Sequence, residues 1–343
     1  MQVIIVKKIL VLKCGALGDL VYATSVIDAL ILEYGQDVQI DFVCSPIGNQ
    51  LLSQDSRINK VFVLKHKKIP IIFSTQKKAI IQHSKTNPYD VLISLEFGKQ
   101  FHGLIEKIYA QKKIGMGFTQ ISRSNRQFNR ALEIKEYIKE IINTNNLNQA
   151  IPKLLTKPQN IPALPNKFLI IAPSNSHNKR SGINYRAWDF TKWQELIAIL
   201  SKTHTLVILG AKGEEEFFAH IQPYPQNVID LVGKLNVAQL VEVCKLAKAT
   251  VCTDSAIGHI CAATNTPVFV LMGPNNPITD APYQTQENLV KSISLGLDCS
   301  PCYKTQTMKN CTANICMQNI SVELVLKNMQ EANIIESTGK VVF

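Results

Sequence analysis

No stretch of the 343 residues reaches the roughly 18 consecutive apolar positions that a membrane-spanning helix needs. An integral helical membrane protein is thereby excluded. The amino end also lacks the features of a secretion signal, because Met1 to Leu12 reads as a buried strand with no small-residue cleavage site after it. A cytoplasmic protein is expected. Zinc-finger spacing and the aromatic-basic modules of RNA readers are missing, so no nucleic-acid partner is expected either. The Gly-x-Ser-x-Gly elbow of serine hydrolases does not occur. At 343 residues the chain can bury the cores of two ordinary α/β domains, and stability need not come from disulfides or metal.

The formal charge of +11 is concentrated at one end. Residues 1–160 hold 22 Lys and Arg against 12 Asp and Glu, whereas residues 161–343 hold 15 against 14. The clusters Lys65, Lys67, Lys68, then Lys77, Lys78, then Arg123, Arg126, Arg130 are either a solvated surface or an attraction for phosphate, carboxylate or an anionic membrane face.

In the first half, Lys8 to Leu12, Gln39 to Val43, Val61 to Leu64 and Val91 to Leu95 are β-branched runs bounded by polar residues, which predicts strands. Leu20, Ala23, Thr24, Ile27, Leu30 and Ile31 fall on one side of a helix between the first two. Such alternation predicts a largely parallel sheet covered by helices. Residues 143–167, rich in Asn, Pro, Lys and Gln, read as a linker. The pattern then restarts: strands at Phe168 to Ala172, Thr205 to Leu209, near Val228, at Thr250 to Cys252 and at Val268 to Met272, with helices from about Phe190, Val237 and Ala256. The expected organisation is an α/β domain over 1–160, a second over 161–320, and a helix and tail over 321–343 that could pack on either. Two Rossmann-like domains would face a central cleft, where the carboxyl ends of open sheets bind ligands.

Four segments carry candidate chemistry. Gly15-Ala16-Leu17-Gly18-Asp19 lies between a strand and a helix, where glycines permit close backbone approach and free amides favour an anion. Asp19 reads either as the cap of that helix or as a general base for an acceptor hydroxyl. Asp254, Ser255, Ala256 and His259 begin a later helix, whose amides suit a diphosphate. His259 lies one turn past Ser255, as a ligand contact or a structural histidine. Ser174, Asn175 and Ser176 follow a strand, and Lys179, Arg180 and Arg186 precede Trp188; Arg186 is the preferred phosphate contact. Glu214, in the strand-end turn Gly210-Ala211-Lys212-Gly213-Glu214, suits a base or ribose. The fourth segment is Cys299-Ser300-Pro301-Cys302 followed by Cys311 and Cys316, which reads as a structural zinc site, an iron-sulfur site, or free or redox-paired thiols. The other five cysteines fall in apolar elements as packing.

Together these segments resemble the bacterial lipopolysaccharide heptosyltransferases, glycosyltransferase family 9. The resemblance rests on ILVLKCGALGDLVYATSVIDAL, RAWDFTKWQEL, LVILGAKGEEEF, the long stretch from VIDLVGKLN through KATVCTDSAIGHICAATNTPVFVLMGPNNP, and CSPC followed by CMQNISVELVL. It implies a fold of the glycosyltransferase B type, with acceptor on the first domain and nucleotide sugar on the second. The family's catalytic aspartate falls on Asp19, which favours the base role. Its donor-site Asp-Ser/Thr-Gly falls on Asp254, Ser255 and Ala256, its histidine on His259, and its phosphate-facing basic residue on Arg186. Lys13, Gly15 and Gly18 are implied on the acceptor side. The implied reaction is inverting transfer from ADP-heptose to an acidic, lipid-linked inner-core saccharide, with no cofactor or metal for the transfer itself and peripheral inner-membrane contact. The alternative is another nucleotide sugar serving a different glycan.

Three departures accompany the resemblance. Ala256 stands where Gly is usual, Asp189 where Pro is usual after Trp188, and Lys13 where Arg is usual, which forgoes bidentate recognition.

Overall fold

The computed structural model describes residues 7–66, 74–96, 98–116, 118, 128–175 and 182–336. Of the residues singled out above, Lys67, Lys68, Arg123, Arg126, Ser176, Lys179 and Arg180 lie outside them. The chain divides into two compact units, Met1–Gln159 and Asn160–Phe343.

In the first unit, β1 (Lys8–Leu12), β2 (Gln39–Cys44), β3 (Lys60–Val63), β4 (Tyr89–Ser94) and β5 (Ala110–Gly115) form a wholly parallel sheet in the order β3-β2-β1-β4-β5. Ile9, in β1, pairs with Ile40 on one side and Val91 on the other. Ile9 to Leu12 are wholly buried, as expected of a central strand covered on both faces. The chain winds outward from β1 to β3, then crosses to β4 and β5. The switch point, where such sheets open a ligand crevice, therefore lies past the ends of β1 and β4.

The helix Leu17–Tyr34 follows β1, and its apolar residues Leu20, Ala23, Ile27 and Leu30 are wholly buried. Its polar side chains hold the end of the unit. Asp28 accepts from the Ile151 amide at 3.1 Å, Thr24 from the Lys153 amide at 3.0 Å, and Glu33 from the Asn143 amide at 2.9 Å. Residues 150–165 have no regular structure, but their first part is thus bound to the helix; the segment read as linker begins instead with a short helix, Thr144–Gln149.

The second unit holds β6 (Phe168–Ala172), β7 (Thr205–Ile208), β8 (Val228–Asp230), β9 (Ala249–Thr253), β10 (Val268–Leu271) and β11 (Val290–Ile293), again all parallel, in the order β11-β10-β9-β6-β7-β8. Its switch point lies past β6 and β9. The Thr253 hydroxyl donates there to the carbonyls of Pro173 at 3.2 Å and Ser174 at 3.1 Å, tying the two strand ends together.

The C-terminal helix Val322–Glu331 belongs to this second unit. Val322, Val325 and Met329 join a core with Trp188, Trp193 and Leu196. Trp188 and Trp193 meet edge to face at 4.9 Å, and the buried indole of Trp188 donates to the Ile320 carbonyl at 2.9 Å. Asp189, the departure from Pro, caps the helix Phe190–Leu200 by accepting from the Thr191 amide at 2.7 Å. An N-cap aspartate thus starts this helix.

Candidate functional site

In the first unit the strand end after β1 places Lys13, Gly15, Gly18 and Asp19 together. Ala16 occupies the cap position of the helix Leu17–Tyr34, so the capping alternative for Asp19 is not realised. Asp19 lies three residues further on, in the first turn, half-buried, where a negative charge is still favoured. A Cβ added at Gly15 would stand 3.0 Å from Asp19 Oδ2 and 3.1 Å from Lys13 Cε. The missing side chain is what lets the loop lie against that carboxylate. Lys13 is 8% exposed and turns inward: its Nζ donates to the Leu95 carbonyl at 3.0 Å and lies 3.9 Å from Glu96 Oε1. The same Glu96 oxygen accepts from the Cys14 amide at 2.5 Å. Lys13 and Glu96 accordingly hold the ends of β1 and β4 together across the switch point. Cys14 is wholly buried, and burial, with Glu96 beside it, pushes its thiol pKa up. A thiol so shifted is a poor nucleophile.

The second unit gathers Ser174, Arg186, Glu214, Asp254, Ser255, Ala256 and His259 around its own switch point. Past β6, the Ser174 hydroxyl donates to Glu214 Oε2 at 2.7 Å, and the Ala211 amide reaches the same oxygen at 2.7 Å. Gly210 is required for this turn, since a Cβ there would meet the Phe218 ring at 2.3 Å. Past β9, Asp254 is a hub. Arg186 Nη1 lies 3.3 Å from its Oδ2 and 3.1 Å from its carbonyl, Asn275 Nδ2 donates to Oδ2 at 2.6 Å, and His259 Nε2 lies 3.9 Å from Oδ1. The guanidinium of Arg186 sits over the Tyr303 ring, 5.4 Å from its centroid. Ser255 occupies the cap position of the helix Ala256–Ala262, yet its hydroxyl makes no capping bond and has no partner among the described residues. Both amide atoms of Asn175, a side chain 8% exposed, likewise have no partner among the described residues. Buried polar groups are normally paired, so unpaired ones clustered at a switch point mark where a ligand would bind.

The cysteine segment is hydrogen-bonded to the turns that carry this site. The amides of Cys302 and Tyr303 both donate to the Pro274 carbonyl at 2.8 Å, and Ser300 Oγ donates to the Gly273 carbonyl. Tyr185, next to Arg186, donates its hydroxyl to the Cys311 carbonyl at 3.0 Å. Cys299 is exposed, Cys311 half-buried, and Cys302 and Cys316 buried. Burial first, then the thiols of Cys302, Cys299 and Cys311, push Cys316 up to about 11. Among the described residues, no group of three or more His, Cys, Asp or Glu is arranged to hold a metal ion. In this arrangement Cys299 should react first with a thiol reagent at pH 8, while Cys14, Cys44, Cys244, Cys252 and Cys261 stay silent until unfolding. Protection of Cys299 until a chelator releases zinc would instead make the four cysteines a zinc site.

Glu96, Asn275 and Tyr303 were not singled out from the sequence. Glu96 follows a strand end on the far side of the switch point, a position that strand order identifies and local pattern does not. Asn275 lies in the Gly-Pro-Asn-Asn turn, which reads simply as a turn.

Two parallel, doubly wound units, each with its polar cluster at its own switch point, are the architecture of a glycosyltransferase of the B type. The chain belongs to glycosyltransferase family 9 (heptosyltransferase), whose family model matches residues 126–313. It is 23% identical to lipopolysaccharide heptosyltransferase 3 of Escherichia coli over 295 residues, which cover 78% of this chain and 83% of that protein. Among solved structures, the family 9 glycosyltransferase of Veillonella parvula superposes with a TM-score of 0.78 at 17% identity, over 96% of this chain and 98% of that one. The E. coli heptosyltransferase WaaC with ADP gives 0.69 at 16% identity, over 94% and 99%. Within the described residues, no helix is long and apolar enough to cross a membrane.

Proposed function

We propose that the protein transfers a heptose from ADP-heptose to an acidic, lipid-linked saccharide of the lipopolysaccharide inner core, with inversion at the anomeric carbon. The observation that carries the donor half is the Asp254 hub. It holds Arg186 beside Asp254 and its chain neighbour Ser255, while Asn175, whose buried amide has no partner among the described residues, follows the adjacent strand β6; one fixed cation with neutral donors of this kind suits a diphosphate. Glu214, already oriented by Ser174 and Ala211, presents carboxylate oxygen to the hydroxyls of a ribose. Support for the particular sugar comes from the family and from the ADP-bound relative WaaC.

In the reaction proposed, the acceptor O–H gives its proton to the Asp19 carboxylate as its oxygen attacks the anomeric carbon. The bond from that carbon to the diphosphate oxygen breaks, and the electron pair leaves with the nucleoside diphosphate, whose added charge Arg186 stabilises. No step passes through a metal or cofactor. The excess of cations in the first unit would draw an anionic acceptor and an anionic membrane surface.

The test is calorimetric binding to ADP-heptose, ADP-glucose, GDP-mannose, UDP-glucose and UDP-N-acetylglucosamine. ADP-heptose should bind tightest, and Arg186→Ala should weaken it by about 10- to 100-fold, the value of a hydrogen bond to a charged group. Preference for a different sugar would keep the site and move the enzyme to another glycan. Unchanged affinity in Arg186→Ala would remove Arg186 from the donor site.

A further inference from the structure

Asn275 lies in the turn after β10 and is 6% exposed. Its Nδ2 donates to Asp254 Oδ2 at 2.6 Å. A carboxylate only accepts, so chemistry fixes the direction of this amide: nitrogen toward Asp254, oxygen away from it. That oxygen is buried and has no partner among the described residues. A buried acceptor needs a donor, and any ligand that completes it must bring one. A diphosphate ester carries no hydrogen-bond donor. The hydroxyls of a ribose or of the transferred sugar do.

The strand order decides between those two. Glu214, the residue suited to ribose, follows β7, whereas Asn275 follows β10, and β9 and β6 with the switch point lie between them in the order β10-β9-β6-β7. A donor laid across these strand ends with its ribose at Glu214 and its diphosphate by Arg186 and Ser255 brings its sugar to the β9–β10 side. We infer that Asn275 reads a hydroxyl of the transferred sugar through its Oδ1, and so is a specificity-determining residue for the donor. This inference rests on the reading of the second unit as the nucleotide-sugar site. Pro274, the preceding residue, is held by the Cys302 and Tyr303 amides, which fixes the turn that carries the amide.

The experiment compares wild type and Asn275→Ala by calorimetry with ADP, with ADP-heptose (or whichever sugar nucleotide of the panel binds), and with analogues of that sugar lacking one hydroxyl each. Thermal melting checks the variant's fold. The variant should lose at least tenfold more affinity for the sugar nucleotide than for ADP, the loss for ADP measuring what the amide's support of Asp254 contributes. One deoxy analogue should cost wild type that same tenfold increment, and the variant should show no further loss with that analogue. Equal losses for ADP and the sugar nucleotide would overturn the inference, leaving Asn275 as support for Asp254 alone; so would equal binding of every deoxy analogue to wild type, a result that needs no variant. If wild type binds neither ADP nor any sugar nucleotide, the donor-site reading itself fails, an outcome distinct from failure of Asn275 in a protein that binds both.

Discussion

Asp19→Asn should lower turnover by about two to four orders of magnitude, the range of a positioned general base, while donor affinity stays at the wild-type level. Asparagine keeps the size and hydrogen-bonding reach of the side chain and removes the ability to take a proton. Position is preserved because Gly15, which has no Cβ, leaves the same space beside residue 19. Donor binding is the control, since the proposed donor contacts all lie in the other unit. The substitution also removes a negative charge from the first turn of the helix Leu17–Tyr34, worth roughly 0.3–1 kcal/mol of stability. A small fall in melting temperature is therefore expected and does not account for the rate. Steady-state kinetics with an identified donor and acceptor decides the point, and near-wild-type turnover would remove Asp19 as the base.

The second large effect is on stability. Arg57→Met should destabilise the first unit by about 3–5 kcal/mol, because it leaves the buried carboxylate of Asp55 without its cation. Asp55 and Arg57 are 5% and 9% exposed, and their side chains meet through Nε at 3.0 Å and Nη2 at 2.7 Å. Arg57 also donates to Asp28 on the helix Leu17–Tyr34 at 3.3 Å and to the Lys153 carbonyl at 2.7 Å. One guanidinium thus connects the helix that carries Asp19, the loop before β3, and the segment leaving the unit. The double variant Asp55→Leu with Arg57→Met should recover much of the loss, as replacing both members of a buried pair often does. Denaturant unfolding of the single and double variants measures both. A single variant within 1 kcal/mol of wild type would mean that water reaches and solvates Asp55.

The parts of the fold legible in the sequence were those whose physics is local. β1, β6 and the helices Phe190–Leu200 and Val322–Glu331 begin and end where apolar runs, caps and polar boundaries place them. β5 and β11 are not legible in the sequence because lysines interrupt their apolar pattern, whereas the other two edge strands, β3 and β8, keep an apolar pair or run. Ala110–Gly115 carries two lysines and Val290–Ile293 one, the charges with which edge strands discourage further pairing, and these erase the apolar pattern that identifies a central strand. Short helices such as Pro46–Leu52 and Arg130–Glu136 span too few turns for a periodic pattern to stand out.

The sequence by itself determined that two α/β units would form, because burial of β-branched strands under periodic helices needs only neighbours along the chain. It also marked Asp19, Arg186, Asp254, Ser255 and His259 as candidates, because polar and charged residues at or just past strand-to-helix turns suit the proposed chemistry wherever the strands go. Only the tertiary structure decided which residues share a switch point. Strand order brings Glu96 to the Cys14 amide across 82 positions of chain and Asn275 to Asp254 across 21, and it turns Lys13 inward to Leu95. It likewise decided that the C-terminal helix covers the second unit, through Val322, Val325 and Met329. The physical reason is the same in each case: hydrogen bonds and apolar contacts between distant segments depend on the order in which strands pair, and that order is set by the packing of the whole unit.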